Sequence, residues 1–473
     1  MVMYMKKTMP RVLFAAPKSG SGKTMLVCGM IEVWKRKGYR VASFKCGPDY
    51  IDPMFHRRVL GISSGNLDTF FTDDDTTRYI LEDKAKHADI TVLEGVMGYY
   101  DGLGGQSERA SSYDVAVITK TPVVLVVDGK GASVSLAALI NGLVTFRRNS
   151  QICGVILNRV SSGYYDRLKR VIERECHIEV LGFLPELKDL KVPSRHLGLV
   201  SPQEIEQFEQ WTGQIADAIE QYVATDRIYE IAGGAAYCEG KSPKIPQLPR
   251  RVRIGVARDE AFSFYYTENL ELLEKMGAEV MTFSPLHDHK LPDKLDGIVL
   301  GGGYPECYAR QLEQNREMRD DIRSVCEKKL PCLAECGGFL YLQQELEGED
   351  GYKANMAGVL SGKGFRTERL CRFGYVTLEN QTEGMFGKTG QTIRGHEFHY
   401  WDCTENGTDF EAGKPLSQIE YPVMVHTPSM VAGFPHLYYY SNVNMIYHFM
   451  LTCSRYQAMR EKREAEVQER GAV

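Results

Sequence analysis

"AAPKSGSGKT", Ala15 to Thr24, decides how the first half of this chain is read. It follows the apolar run "RVLFAAP" and precedes "TMLVCGMIEVWKRKG", whose apolar residues recur with helical periodicity. Glycines between a strand and a helix let backbone N–H groups turn toward phosphate oxygens, and the helix N-terminus adds a favourable dipole. Gly20, Ser21, Gly22, Lys23 and Thr24 are therefore the expected ATP-binding loop. Lys23 would reach the β- and γ-phosphates, and the Thr24 hydroxyl would ligate Mg²⁺. The loop departs from the usual spacing at its entry, where Pro17 has no N–H to offer. A ligand-free glycine turn is the bland alternative. Lys18 also fits the extra lysine of partitioning-type ATPases, which supplies a rival.

Further along, "RVASFKCG", "ADITVLEGV", "TPVVLVVDG", "ICGVILNRV" and "IEVLGFLP" are short and rich in Val, Ile and Leu. Several are separated by helical patterns such as "YDRLKRVIEREC". Runs apolar on both faces and joined by helices predict a parallel sheet covered on both sides. An α/β domain is expected over residues 1–222. From about Gln221 to Arg250 the pattern dissolves into "GGAAYCEGKSPKIPQLPR", so 223–250 reads as a linker. "RVRIGVARD" restarts the alternation, and "KLDGIVLGGG" and "KLPCLAECGG" continue it. "GFRTERLCRFGYVTLENQ" and "GQTIRGHEFHYWDC" read as a β-rich elaboration. The second α/β domain spans 251–453, and 454–473 is a charged tail given no function.

At 473 residues the chain is too long for one typical domain. A net charge of -5, with 43% hydrophobic and 25% charged residues, gives no sign of a general nucleic-acid or membrane partner. No apolar run approaches the ~18 residues of a membrane helix. The start, "MVMYMKKTMPRVLFAAP", lacks the long apolar core of a signal peptide. Twelve scattered cysteines with no CxxC pair fit free thiols in a cytoplasmic protein better than disulfides or a zinc ribbon.

In "FKCGPDYIDPMFH", Phe44 to His56, Asp49 and Asp52 follow a strand among Gly47, Pro48 and Pro53. Taken alone they are ordinary turn residues. "LEGVMGYYDG" then ends another strand with Glu94 and carries Asp101 in the next loop. Carboxylates at the C-terminal ends of parallel strands sit where such sheets bind ligands. With Thr24 they would hold Mg²⁺ against a triphosphate.

The second half offers a thiol. Cys336 follows the strand-like "LPCLA" and precedes Gly337, Gly338 and a helix start. A sharp turn there exposes the side chain, and the helix N-terminus lowers the thiol pKa. "GGGYPE", Gly301 to Glu306, ends the preceding strand. Its N–H groups, at Gly302 and Gly303, would form an oxyanion hole with that of Gly337, each donor contributing roughly 3–4 kcal/mol. A small buried cysteine is the alternative. The thiol needs a base, for which His396, His399, His426, His436 and His448 all stand as candidates.

The series "FKCGPDYIDPMFH", "NLDTFF", "LEGVMGYYDG", "GVILNRV", "PSRHLGLV", "VLGGGYPE", "AECGGFLYL" and "RGHEFHY" closely resembles the cobyrinate a,c-diamide synthases of cobalamin biosynthesis. The resemblance runs from about Val12 to Phe449. It implies a dethiobiotin-synthetase-like ATP domain followed by a class I-type glutamine amidotransferase domain. By that likeness Cys336 is the glutaminase nucleophile and His436, in "AGFPHLYYY", its base. The family often has a second histidine two residues on, where this chain has Tyr438. His396, Glu397 and His399 would shape the glutamine pocket. Asp52 and Glu94 would lie near Mg²⁺. Lys45, Asp49, Tyr50 and Asp52 would meet the corrinoid.

The implied chemistry is attack of a substrate carboxylate on the γ-phosphate of ATP, giving an acyl phosphate and ADP. Ammonia from glutamine then displaces phosphate, and the cycle repeats at a second acetate. Mg²⁺ and Lys23 would offset charge on the transferring group. A macrocycle with several carboxylates calls for basic groups, for which Arg57, Arg58 and Arg195 are candidates. The assembly is open, a homodimer included. Rivals are a synthase acting on hydrogenobyrinate or nickel sirohydrochlorin, a cobyric acid synthase, a partitioning-type ATPase switch and a degenerate amidotransferase scaffold.

Overall fold

Val12, Leu13 and Phe14 have no exposed surface, because the strand that holds them is covered on both faces. The computed structural model describes residues 9–187 and 202–471. The chain divides into two units, Met1–Ser242 and Pro243–Val473.

In the first unit strands and helices alternate: β1 (Arg11–Ala15), α1 (Lys23–Arg36), β2 (Val41–Cys46), α2 (Ile51–Arg58), β3 (Ser63–Leu67), α3 (Asp74–Ala85), β4 (Ile90–Glu94), α4 (Ser112–Ile118), β5 (Val123–Asp128), α5 (Val134–Thr145), β6 (Ile152–Asn158), α6 (Ser162–Cys176) and β7 (Glu179–Leu184). Helices α7 (Pro202–Tyr222) and α8 (Thr225–Gly233) follow. The sheet runs β3-β2-β4-β1-β5-β6-β7 with every pair parallel. Its register sets Phe14 and Lys45 on either side of Glu94. The ends of β1, β2 and β4 therefore meet at one edge.

Two segments differ from expectation. β3 lies in "SSGNL", which carries no Val or Ile. It is an edge strand whose Ser64 takes a hydrogen bond from the Ser43 hydroxyl at 2.8 Å. Helix α8 lies inside the stretch read as linker, and it forms because Ile228 and Ala232 are buried in the core of the unit. The chain beyond it is tied down as well, since Arg11 donates to the Ala236 carbonyl at 2.6 Å.

The second unit contains β8 (Val252–Ala257), β9 (Phe262–Phe264), α9 (Thr267–Met276), β10 (Ala278–Phe283), β11 (Gly297–Leu300), β12 (Gly302–Gly303), α10 (Ala309–Gln314), α11 (Arg316–Glu327), β13 (Cys332–Glu335) and α12 (Gly337–Leu342). Short strands follow: β14 (Glu345–Glu347), β15 (Lys353–Asn355), β16 (Lys363–Arg366), β17 (Arg372–Asn380), β18 (Thr392–His399), β19 (Trp401–Cys403), β20 (Phe410–Gly413), β21 (Glu420–Val423), β22 (Val425–Thr427), β23 (Met430–Gly433) and β24 (His436–Leu437), before the final helix α13 (Val443–Gly471). The main sheet, β10-β8-β11-β13-β23-β22, is parallel except for its last pair. A five-stranded antiparallel sheet, β21-β20-β17-β18-β24, is the β-rich elaboration. Among the described residues all twelve cysteines are free, and no helix is long and apolar enough to cross a membrane.

The segment set apart as a charged tail continues α13 without a break. Its Arg460 pairs at 2.9 Å with Asp296, which has no exposed surface, and Gln457 donates to the same carboxylate at 3.2 Å. Arg460→Met should destabilise the unit by roughly 2–3 kcal/mol, below the ~3–5 of a bare buried charge because Gln457 and the Arg253 N–H still serve Asp296. Urea unfolding of the variant measures this, and an unchanged midpoint would show the pair to be idle.

Candidate functional site

The first cluster sits at the strand ends of the first unit. Gly22, at φ 90°, turns the chain into α1, and a Cβ there would lie 2.2 Å from Nδ2 of Asn158. Only glycine fits, because Asn158 donates to the Ser21 carbonyl at 2.9 Å and holds the loop from β6. Gly20 also has positive φ, at 77°. The Lys23 ammonium donates to the Met97 carbonyl at 2.6 Å. Burial, then nearby Lys45, lowers its pKa to about 8.

Thr24 Oγ1 donates to Glu94 Oε1 at 2.5 Å. Lys45 Nζ contacts the same oxygen at 2.8 Å and Asp52 Oδ2 at 2.6 Å. All three charged groups are buried. Burial alone would lower the Lys45 pKa, but Asp52 and Glu94 outweigh it and hold the lysine charged. Burial raises the Glu94 pKa, and Asp52 adds to the rise. Two carboxylates against one ammonium leave negative charge to be neutralised. Glu94 Oε2 is moreover buried without a hydrogen bond. An all-oxygen set of one hydroxyl and two carboxylates suits a hard cation such as Mg²⁺, which takes few protein ligands and completes its shell with phosphate and water. No group of three or more His, Cys, Asp or Glu side chains fit to hold a metal occurs among the described residues.

Asp49 accepts from the Ile51 N–H at 2.8 Å, so the turn chemistry allowed for it is present. It is half-buried, and desolvation followed by Asp52 pushes its pKa up. Tyr50 is buried beside it. Arg57 donates to the Ser64 carbonyl at 3.0 Å, a bond within the fold. Arg195 lies outside the described residues. Sequence reasoning assigned no role to Asn158 or Met97, nor the Lys45 bridge. Asn158 stood in the quoted run "GVILNRV", where an asparagine ending an apolar strand was the available signal.

The second cluster surrounds Cys336. Its φ of 48° is uncommon for a residue with a Cβ, and it marks the strained turn between β13 and α12. The Cys336 N–H donates to the Gly433 carbonyl at 2.8 Å, and the Gly338 N–H to that of Gly301 at 2.9 Å. The Gly303 nitrogen lies 3.0 Å from where a Cβ on Gly337 would stand. A Cβ on Gly302 would lie 2.2 Å from Cε1 of His436. The imidazole thus rests on the glycine strand, which also packs against Gly337 beside Cys336.

Both titrating groups are neutral at pH 7. The expected exposed, lowered thiol is not what the turn provides: Cys336 is buried, and burial, then Glu306, Glu335 and Glu397, raises its pKa far above the ordinary value, against which the Gly337 N–H lowers it only in part. Burial, then His396 and His399, lowers that of His436 to about 3. His396 stands directly across from His436 in the β18–β24 pair. The His399 ring stacks on Phe434 at 4.0 Å and donates through Nδ1 to the Trp401 carbonyl at 2.6 Å. Glu397 is taken up by Tyr421, by Lys414 at 3.2 Å and by Arg372 at 3.8 Å. His426 has both ring nitrogens engaged, with the Phe386 N–H and with Asn380, and His448 is on the exposed side of α13. Of the five candidate bases, only His436 touches the glycine strand.

Residues 12–200 match the family described as the CobQ/CobB/MinD/ParA nucleotide binding domain, and 253–421 the CobB/CobQ-like glutamine amidotransferase domain. A cobyrinate a,c-diamide synthase of Listeria innocua is 41% identical over 444 residues, covering 92% of this chain and 97% of the relative. The enzyme of that name from Listeria monocytogenes serotype 4b is 40% identical over 451 residues, covering 93% and 98%. That from Caldanaerobacter subterraneus subsp. tengcongensis is 37% identical over 447 residues, covering 94% and 98%. With two domain matches in the order of its two units and likeness over nearly its whole length, the chain belongs to the cobyrinate a,c-diamide synthase family.

Proposed function

We propose that this chain is a ligase that amidates the a and c acetates of cobyrinate, using ATP and glutamine. The observation that carries the reading is the presence on one chain of the Lys23–Thr24–Glu94 cluster and the Cys336–His436–Gly303 cluster. Neither makes an amide alone. Direct amidation would have to expel oxide from a carboxylate, so the acid must first be activated. The first cluster is built to hold the phosphates of ATP, and the second to release ammonia.

In the first unit, Lys23 and the N–H groups of Gly20 to Thr24 take the phosphates, and a substrate carboxylate attacks the γ-phosphorus to give an acyl phosphate and ADP. Thr24, Asp52 and Glu94 would hold Mg²⁺, which supplies charge neutralisation on the phosphoryl group. Asp49, Tyr50, Lys45 and Arg195 are assigned to the corrinoid. In the second unit, Cys336 attacks the glutamine amide carbon, and the oxyanion is received by the N–H groups of Gly303 and Gly337. His436 takes the thiol proton and passes it to the leaving ammonia, and water clears the γ-glutamyl thioester. A homodimer is compatible with this scheme. The work site is the cytoplasm, where free thiols persist.

The test is amidation with MgATP, glutamine and cobyrinate, followed by mass spectrometry. Two amidations per macrocycle are expected. Glutamine hydrolysis with cobyrinate untouched would move the substrate to hydrogenobyrinate or nickel sirohydrochlorin.

A further inference from the structure

Three buried carboxylates act on the Cys336 thiol: Glu306, Glu335 and Glu397. Two have donors elsewhere in the chain, although one oxygen of each, Glu335 Oε1 and Glu397 Oε1, is buried without a hydrogen bond. Glu397 has Tyr421, Lys414 and Arg372. Glu335 is served by the Leu437 N–H and the Tyr439 hydroxyl. Glu306 is different. It is only 9% exposed, yet among the described residues no lysine, arginine or histidine pairs with it, and no donor but its own backbone N–H serves its carboxylate.

Its place is fixed by the glycine strand. Pro305, the residue before it, packs with Cδ 2.9 Å from where a Cβ on Gly337 would stand, beside the Gly303 nitrogen. Glu306 thus follows directly on the residue that packs against the elbow. It is also the charged group that acts most strongly on the thiol, ahead of Glu335 and Glu397. A buried carboxylate without a cation is costly to keep, unless a ligand brings the cation with it. With nothing bound, burial pushes its pKa up to about 8, with Glu349 adding to the rise.

Glutamine carries such a cation. Its α-nitrogen lies one short aliphatic arm from the side-chain carbonyl that Cys336 attacks. We propose that the Glu306 carboxylate receives the α-ammonium of the glutamine whose amide is opened at Cys336. This rests on the glutaminase reading above and adds the group that selects an α-amino acid over a simple amide. Charge pairing inside the site ionises Glu306 as substrate enters, and the pair positions the carbonyl between thiol and oxyanion donors.

The experiment compares hydrolysis of glutamine with that of glutaramate, which has the same side-chain amide and no α-amino group, in wild type, Glu306→Gln and Glu306→Asp. Wild type should prefer glutamine by roughly 100-fold or more in kcat/KM. In Glu306→Gln the KM for glutamine should rise and the preference fall to within about fivefold, since glutaramate never used the charge. Glu306→Asp, which keeps the charge on a shorter arm, should recover part of the preference. The thermal midpoint of Glu306→Gln should not fall, because the change removes an unpaired buried acid. A Glu306→Gln enzyme that keeps the full preference, or loses kcat equally on both amides, overturns the proposal. A wild type that releases no ammonia from glutamine overturns the glutaminase reading itself, and the proposal with it.

Discussion

Cys336→Ala is expected to lower glutamine-dependent amidation by at least about 10⁴-fold, the scale seen when a covalent nucleophile is removed. Amidation with added ammonia should remain, since the phosphoryl chemistry belongs to residues of the other unit. The size of the loss follows from the second cluster. In the proposed glutaminase, His436 and the N–H groups of Gly303 and Gly337 would act on a carbonyl that only a covalent attack brings into the oxyanion position. With a methyl in place of the thiol, His436 has no proton to move. Burial favours the neutral form of both groups in the free protein. Alanine keeps the Cβ at this φ of 48° and adds no bulk, so folding should not suffer. Steady-state kinetics with glutamine and with ammonium chloride separates the two activities. Equal loss in both would show that Cys336 supports the fold rather than the glutaminase.

How far the sequence reached can be judged from particular residues. The P-loop, the elbow cysteine and the alternation of strands and helices are local patterns, carried by neighbouring residues. Strands β1, β2, β4, β5, β6 and β7 announced themselves because burial on both faces demands apolar runs. β3 did not, because an edge strand tolerates Ser and Asn whose side chains are satisfied next door. Asn66 donates to the Gly47 and Asp49 carbonyls at 2.9 and 2.8 Å. The Lys45 bridge was equally hidden. It depends on the register that sets Lys45 against Glu94, 49 positions on in the chain. The bond from Asn158 to Ser21 spans 137 positions and has no local signature at all. Helix α8 was lost to the glycines and prolines after it, although Ile228 and Ala232 carry a helical spacing. Glu306 was visible as part of "GGGYPE". Its lack of a partner is a statement about three dimensions, and no sequence pattern contains it.

Lys23→Ala should reduce ATP-dependent amidation by roughly 10³-fold or more, whether the ammonia comes from glutamine or from solution. That pairing of outcomes is the reverse of the one expected for Cys336→Ala. The lysine is buried at the N-terminus of α1, and its ammonium is spent on the Met97 carbonyl at 2.6 Å, a weak partner that a phosphate oxygen outbids. The neighbouring cation cannot replace it. Lys45 is already committed to Asp52 and Glu94 at 2.6 and 2.8 Å, and pulling it toward the nucleotide would leave two buried carboxylates unpaired. Lys23→Arg should recover little, because a planar fork is not the compact point charge that an ammonium brings to a phosphate oxygen. ADP release and amide formation, measured together, should fall in step. An Ala variant that still forms ADP at the wild-type rate would mean that Lys23 orients the loop and does not meet the γ-phosphate.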